Sequence, residues 1–182
     1  MATYVALLRG INVGRHRRVL MADVKEAFAA AGAVDATTYL QSGNVLCRSH
    51  LSAAKLAPAL ERELGSRLGH DIAVIVRTGA QLARLVAGNP WPGEKDGKKV
   101  HVAFLEAAPK PAAVARLDPE RVAPDEFRLA GRDVYLHYPR GYGRSKLTND
   151  YLEKQLGLRS TMRNWKTVSA LSELASARRR RQ

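Results

Sequence analysis

The chain has 182 residues, 46% of them hydrophobic, and a formal net charge of +13. That apolar content can bury a core and argues against general disorder, and the length suits one domain or two small ones. A charge so far from zero is silent on fold but favours anionic partners: nucleic acid, nucleotides or acidic surfaces. Part of the charge is local: Arg178–Arg181 supply four positive charges, and taking four from +13 leaves +9 elsewhere. The single cysteine, Cys47, permits no internal disulfide, which fits a reducing compartment. No apolar run approaches the roughly 20 residues that cross a bilayer, and the chain opens on a strand-like run rather than a leader. The expectation is a cytoplasmic protein without a membrane partner, taken as a monomer.

Tyr4–Leu8 is a short apolar run, the pattern of a buried strand. Gly10 and Gly14 end it, and Arg15, His16, Arg17 and Arg18 follow in a loop. Met21, Val24, Phe28 and Ala31 recur at helical spacing, and Gly32 stops that helix. Thr37–Leu40 reads as a strand, and Val45–Cys47 as the returning arm of a hairpin with Ser42-Gly43-Asn44 as its turn. Ser52 suits the cap of a helix whose Leu56, Leu60, Leu64 and Leu68 form one apolar stripe, ended by Gly69. Ile72–Val76 is continuous and β-branched, as in a central strand. The order β-α-β-β-α-β over residues 1–77 is that of the ferredoxin-like split unit.

Residues 78–177 read as a second, less regular α+β unit. Thr78 and Gln81 form a capping-box pattern ahead of Leu82, Leu85 and Val86. Asn89–Lys99 is a loop, Val100–Leu105 a strand and Ala112–Leu117 a short helix. Phe127–Leu129 and Val134–Tyr138 form a hairpin about Gly131-Arg132. Two helices close the chain. One runs from Ser145 or Thr148 to Leu156 and stops at Gly157; the other follows Thr161, with Trp165, Val168, Leu171 and Ala175 on one face and Trp165 in the core. Residues 178–182 read as a basic, disordered tail. No sequence repeat relates the two halves.

Three clusters are candidate ligand-binding sites. Arg9, Gly10, Asn12 and Gly14 follow a strand end, where glycines let backbone N–H groups converge on an anion; a tight structural crossover uses the same residue types. The spacing is neither that of a P-loop nor G-x-G-x-x-G. Gln41, Ser42 and Asn44 gather polar side chains at a hairpin tip, as ligand contacts beside the first loop or as plain turn chemistry. Lys146, Arg163 and Asn164 lie near helix starts, where cations oppose the helix dipole and an anion would relieve them; solvated basic side chains fit the same positions equally well. Tyr135, His137, Tyr138 and Tyr142 interleave with Arg140, Arg144 and Lys146; exposed aromatics on a ferredoxin-like sheet can stack bases, but a half-buried hairpin beside a solvated basic loop gives the same pattern and is the favoured reading, and no RNP-like string is present. Cys47 reads as a buried, inert thiol, and the five histidines lack metal-ligand spacing. No nucleophile elbow or paired-carboxylate pattern marks a catalytic site, and no cofactor is implied.

Tyr4-Val5-Ala6-Leu7-Leu8-Arg9-Gly10-Ile11-Asn12-Val13-Gly14, Met21-Ala22-Asp23 and Thr38-Tyr39-Leu40-Gln41-Ser42-Gly43-Asn44-Val45 resemble the bacterial family catalogued as domain of unknown function 1697. Ser145-Lys146-Leu147-Thr148-Asn149 and Thr161-Met162-Arg163-Asn164-Trp165-Lys166-Thr167-Val168 also match, so the resemblance runs to about Ala175. It departs at Arg15, where the family has a second glycine, and at Met162, where threonine is usual. The resemblance implies an α+β fold of two ferredoxin-like α/β-sandwich units and carries no established activity. Two functions remain open: a binding module for an anionic ligand, with nucleic acid the leading class, or an enzyme or sensor for a small phosphorylated or carboxylated metabolite.

Overall fold

The structure, a computed structural model, describes residues 1–12 and 19–180; Gly14 and Arg15–Arg18 lie outside the described residues. The chain is α+β and contains two four-stranded sheets built on one plan. The first unit runs β1 (Ala2–Leu8), α1 (Met21–Ala30), β2 (Ala33–Tyr39), β3 (Asn44–Ser49), α2 (Ala53–Leu68) and β4 (Val74–Thr78). Its sheet has the order β2-β3-β1-β4 with every pairing antiparallel, the ferredoxin-like arrangement. Period-two alternation turns Tyr4, Ala6 and Leu8 to one face of β1, where they join Val24 and Phe28 of α1 and Leu56, Leu60 and Leu64 of α2 in a single core. Each large apolar side chain buried there contributes about 1.5–3 kcal/mol.

The helix ends follow local chemistry. Gly69 closes α2 in the left-handed region at φ 73°, with its N–H on the Gly65 carbonyl. Ser52 precedes α2 but its hydroxyl makes no capping bond; the Ser52 carbonyl takes the Lys55 and Leu56 N–H groups instead. Thr78 and Gln81 form the capping box, Thr78 N–H donating to Gln81 Oε1 at 2.8 Å and Gln81 N–H to Thr78 Oγ1 at 3.2 Å. They open α3 (Gly79–Ala87).

The second unit follows as β5 (Val100–Leu105), α4 (Pro111–Val114), α5 (Pro119–Val122), β6 (Glu126–Ala130), β7 (Asp133–His137), α6 (Asn149–Leu156) and β8 (Ser160–Asn164). Its sheet order, β6-β7-β5-β8, repeats the first, again fully antiparallel. Ala103, Leu105, Val134 and Leu136 pack with Leu117, Val122, Leu147 and Leu152 beneath the helices. Two helices close the chain as expected, but the structure adds a strand, β8, between them, and α6 is the crossover of the second unit. Trp165, expected in the core, is half-buried; the apolar side chains that α7 (Trp165–Arg180) buries are Val168, Leu171 and Ala175.

By contact density the chain divides into Met1–Leu85 with Leu171–Gln182, and Val86–Ala170, later than the expected division at 77. The end of α7 belongs with the first unit. Arg178 donates to the Asp35 carbonyl at 2.7 Å and to Thr37 Oγ1, so residues 178–180 are helical, not a disordered tail. Among the described residues, no helix is long and apolar enough to cross a membrane.

Gly43 shows how tightly the first hairpin is set. Its φ is +79°, and a Cβ there would stand 2.9 Å from both Leu8 Cβ and Ile11 Cγ1. Gly10 shares the conformation, at φ +71°, but faces open space. Gly10→Ala should cost about 1–2 kcal/mol of stability from the left-handed backbone alone. Gly43→Ala should add about 1–3 kcal/mol of overpacking to that. Denaturant unfolding of the two variants checks the difference; equal losses would mean that the contacts to Leu8 and Ile11 relax freely.

Candidate functional site

The loop after β1 and the turn before β3 do lie side by side. Asn12, at φ 54°, donates from Nδ2 to the Gln41 carbonyl at 2.9 Å and to the Val19 carbonyl at 3.1 Å, and its Oδ1 accepts from Val19 N–H at 2.8 Å. Asn44 is fully buried, with Nδ2 on the Tyr39 carbonyl and on Ser42 Oγ, both at 3.0 Å. Both amides are thus occupied in holding backbone. Arg9 and Gly10 are exposed at the rim. This cluster is brought together as expected from the strand ends, but its amides act as clamps on the loops.

Arg163 and Asn164 are divided by the alternation of β8, and Lys146 stands apart in the loop before α6. Met162 and Asn164 face the core of the second unit, while Arg163 shares the opposite face with Thr161. The Arg163 guanidinium donates to Thr161 Oγ1 and the Met162 carbonyl, both at 2.8 Å, and burial pushes its pKa down to about 10. Asn164 caps α7, its Oδ1 accepting from Thr167 N–H at 2.9 Å, and Thr148 caps α6 through Tyr151 N–H at 3.1 Å. Both helix starts are thus capped by the chain itself, and Arg163 stands on the face of β8 opposite Asn164.

The second unit instead carries two adjoining concavities. Val100 pairs with His137 and His101 with Asn164, so the start of β5 and the ends of β7 and β8 meet at one end of the sheet. There a cavity of about 650 Å³ is lined by Lys98, Lys99 and Arg140, together with His101, Tyr142 and Asn164. A neighbouring cavity of about 590 Å³ is lined by Arg144 and Lys146, with Asp125 on its wall. Arg140 and Gly141 line both. Lys98, Arg140, Arg144 and Lys146 are exposed and Lys99 half-buried. Among the described residues, none of these cations forms an ion pair. The carboxylates nearby are engaged otherwise: Asp96 Oδ1 accepts from Lys98 N–H at 2.9 Å, and Asp125 Oδ2 from Ser145 Oγ at 2.6 Å.

The loop between β7 and α6 is held in place. Tyr138 N–H donates to the Lys99 carbonyl at 2.8 Å, and its buried hydroxyl to the Leu147 carbonyl at 2.8 Å. Gly141, at φ 84°, allows its N–H to turn back onto the Tyr138 carbonyl at 2.9 Å. Tyr142 stacks on His101 with centroids 5.5 Å apart, and Tyr138 meets both rings edge-on. Tyr135 and Tyr138 are buried, and His137 stacks under Trp91 and bonds Glu94 at 3.2 Å; Tyr142 is the exposed ring of the expected aromatic–basic mixture. Among the described residues no group of three or more His, Cys, Asp and Glu could hold a metal ion. Cys47 is buried and its thiol pushed up to about 12 by burial.

Residues 1–135 match the family model described as a protein of unknown function, DUF1697. The chain belongs to that family. The DUF1697 chain is similar in fold to a solved conserved bacterial protein from Streptococcus pneumoniae, with TM-score 0.69 and 18% identity over 97% of this chain and 99% of that one. No curated protein matches it. Within this DUF1697 chain, Lys98, Lys99 and His101 escaped sequence reasoning. The lysines sat in an ordinary polar loop, and only the pairing of β5 with β8 brings them to Asn164.

Burial pushes the His101 pKa down to about 4, and its Nδ1 is buried without a hydrogen-bond partner. The unfolded chain, with an ordinary histidine pKa near 6.5, therefore binds the extra proton between pH 6.5 and 4. The folded-state advantage is full above about pH 6.5 and is lost as the pH falls toward 4. His101→Phe should melt with a shallower fall in Tm across this window than the parent. Parallel slopes in thermal melts would show that His101 titrates normally in the folded state.

Proposed function

We infer that the protein binds an anionic, phosphate-bearing ligand in the basic cleft of its second unit, with nucleic acid the leading class. The observation that carries this is the convergence of Lys98, Lys99, Arg140, Arg144 and Lys146 on two adjoining cavities without an ion pair among the described residues. Exposed like charges gathered on a fixed loop repel one another, and a polyanion relieves that repulsion while releasing its own counterions. Two concavities that share Arg140 and Gly141 form an extended basic trough, which suits a chain of phosphates better than a single one. The overall excess of +13 supports the same partner. We read the protein as cytoplasmic on these grounds and because its lone thiol needs no oxidising compartment. The Arg9–Asn12 and Gln41–Asn44 residues serve in this reading as architecture of the first unit.

A second reading is favoured by size: cavities of about 650 and 590 Å³ fall within the range of small-molecule pockets. A small phosphorylated metabolite would then be sensed or turned over there.

The triple variant Arg140→Gln, Arg144→Gln, Lys146→Gln tests the first reading. Binding of a single-stranded oligonucleotide across a salt series should show the slope of log K on log salt falling in magnitude by about 2, at about 0.7 per lost phosphate contact. The three side chains are exposed, so the melting temperature should hold. An unchanged slope and affinity would place nucleic-acid binding elsewhere. Absent oligonucleotide binding, with thermal stabilisation by pyrophosphate or a nucleoside monophosphate, would favour the metabolite.

A further inference from the structure

We propose that the cleft takes single-stranded nucleic acid, with Tyr142 on His101 as the platform on which one base stacks. This rests on the phosphate-binding reading above and names the form of its ligand. Tyr142 keeps 43% of its surface exposed, unusual for a ring already stacked at 5.5 Å and 29° on a neighbour. Its support is rigid. His101 belongs to β5, and Tyr138, fully buried and tied through its hydroxyl to Leu147, closes edge-on against both rings at 5.1 and 5.3 Å. Tyr142 is thus held at a fixed height in the same cavity as Lys98, Lys99 and Arg140.

The cavity also offers hydrogen bonding to a base edge. Asn164 uses Oδ1 to cap α7, while its Nδ2 has no partner among the described residues and is placed to donate to a base carbonyl. Arg140, common to both cavities, stands where the phosphate linking two successive nucleotides would pass. Arg144 and Lys146 beyond it fit the next phosphate. A base inside a duplex has both faces covered, so a stacking platform with flanking cations selects an unpaired strand.

The test uses the full chain and two labelled probes of about 12 nucleotides, within the roughly 4–16 nucleotide footprints of single-strand sites. One is a mixed-sequence single strand; the other has the same phosphates and sugars without bases. Tyr142→Ala should weaken binding of the base-bearing strand about 5- to 100-fold, the range of one lost stacking contact. It should leave the salt slope and the baseless probe unchanged, and Tyr142→Phe should bind like the parent. A duplex of the same sequence should bind more weakly than the single strand. Equal binding of both probes by parent and Tyr142→Ala would overturn the stacking platform while leaving the phosphate reading intact. No binding of either probe by the parent would overturn both.

Discussion

Strand β5 is hydrogen-bonded on both sides, to β7 and to β8, and this double pairing decides where every part of the cleft stands. Its register sets His101 beside Asn164 on one face. It also joins the loop that enters β5, with Lys98 and Lys99, to the loop that leaves β7, with Arg140 and Tyr142. The bond from Tyr138 N–H to the Lys99 carbonyl extends that pairing past the end of the sheet. A slip of β5 by one residue would turn His101 to the opposite face, away from Asn164, and take the apolar Ala103 and Leu105 out of their core. The burial of that core is therefore what holds the site in register.

In the first unit β1 plays the part of β5, yet the polar residues gather at the other end of the strand. Asn12, Gln41 and Asn44 stand where β1 ends and β3 begins, and the two asparagine amides are spent on carbonyls and N–H groups of the surrounding loops. In the second unit the cations stand where β5 begins and β7 ends. One plan thus supports a closed polar clamp in one unit and an open basic trough in the other. The charges differ as well. Surface pairs such as Arg67 with Glu26 and Arg159 with Glu106 contribute about 0–1 kcal/mol each. Among the described residues the cleft cations form no such close pair, and only Lys99 feels a nearby carboxylate, that of Glu94.

The first unit was largely legible in the sequence because its signals are local. The Leu56–Leu64 stripe, the Gly69 stop and the Thr78–Gln81 box each announce themselves within a few residues. The ferredoxin-like order followed from them. Strand β8 was not legible. Ser160-Thr161-Met162-Arg163-Asn164 has little apolar alternation, and it becomes a strand because β5 offers it an unpaired edge, a long-range effect that propensity cannot show. The missed strand misplaced Arg163, which alternation turns away from Asn164. Arg178–Arg180 looked like a free tail because their anchor, the carbonyl of Asp35, is far away in the chain. Of the candidate residues, Lys146 and Asn164 line the cleft, and Asn12 and Asn44 hold loops; Tyr142 was visible as an aromatic among cations, but its exposure against the burial of Tyr135 and Tyr138 was not.

In the proposed reading the second unit, rather than the first or the arginine-rich helix end, binds the ligand. Titration of the isotope-labelled protein with a short single-stranded oligonucleotide, followed by amide chemical shifts, tests this most directly. The largest shifts should map to Lys98, Lys99, Arg140–Lys146 and Asn164, with Arg9–Asn12 and Gln41–Asn44 nearly still. Shifts concentrated at Arg9–Asn12, or at Arg178–Arg180 alone, would contradict it.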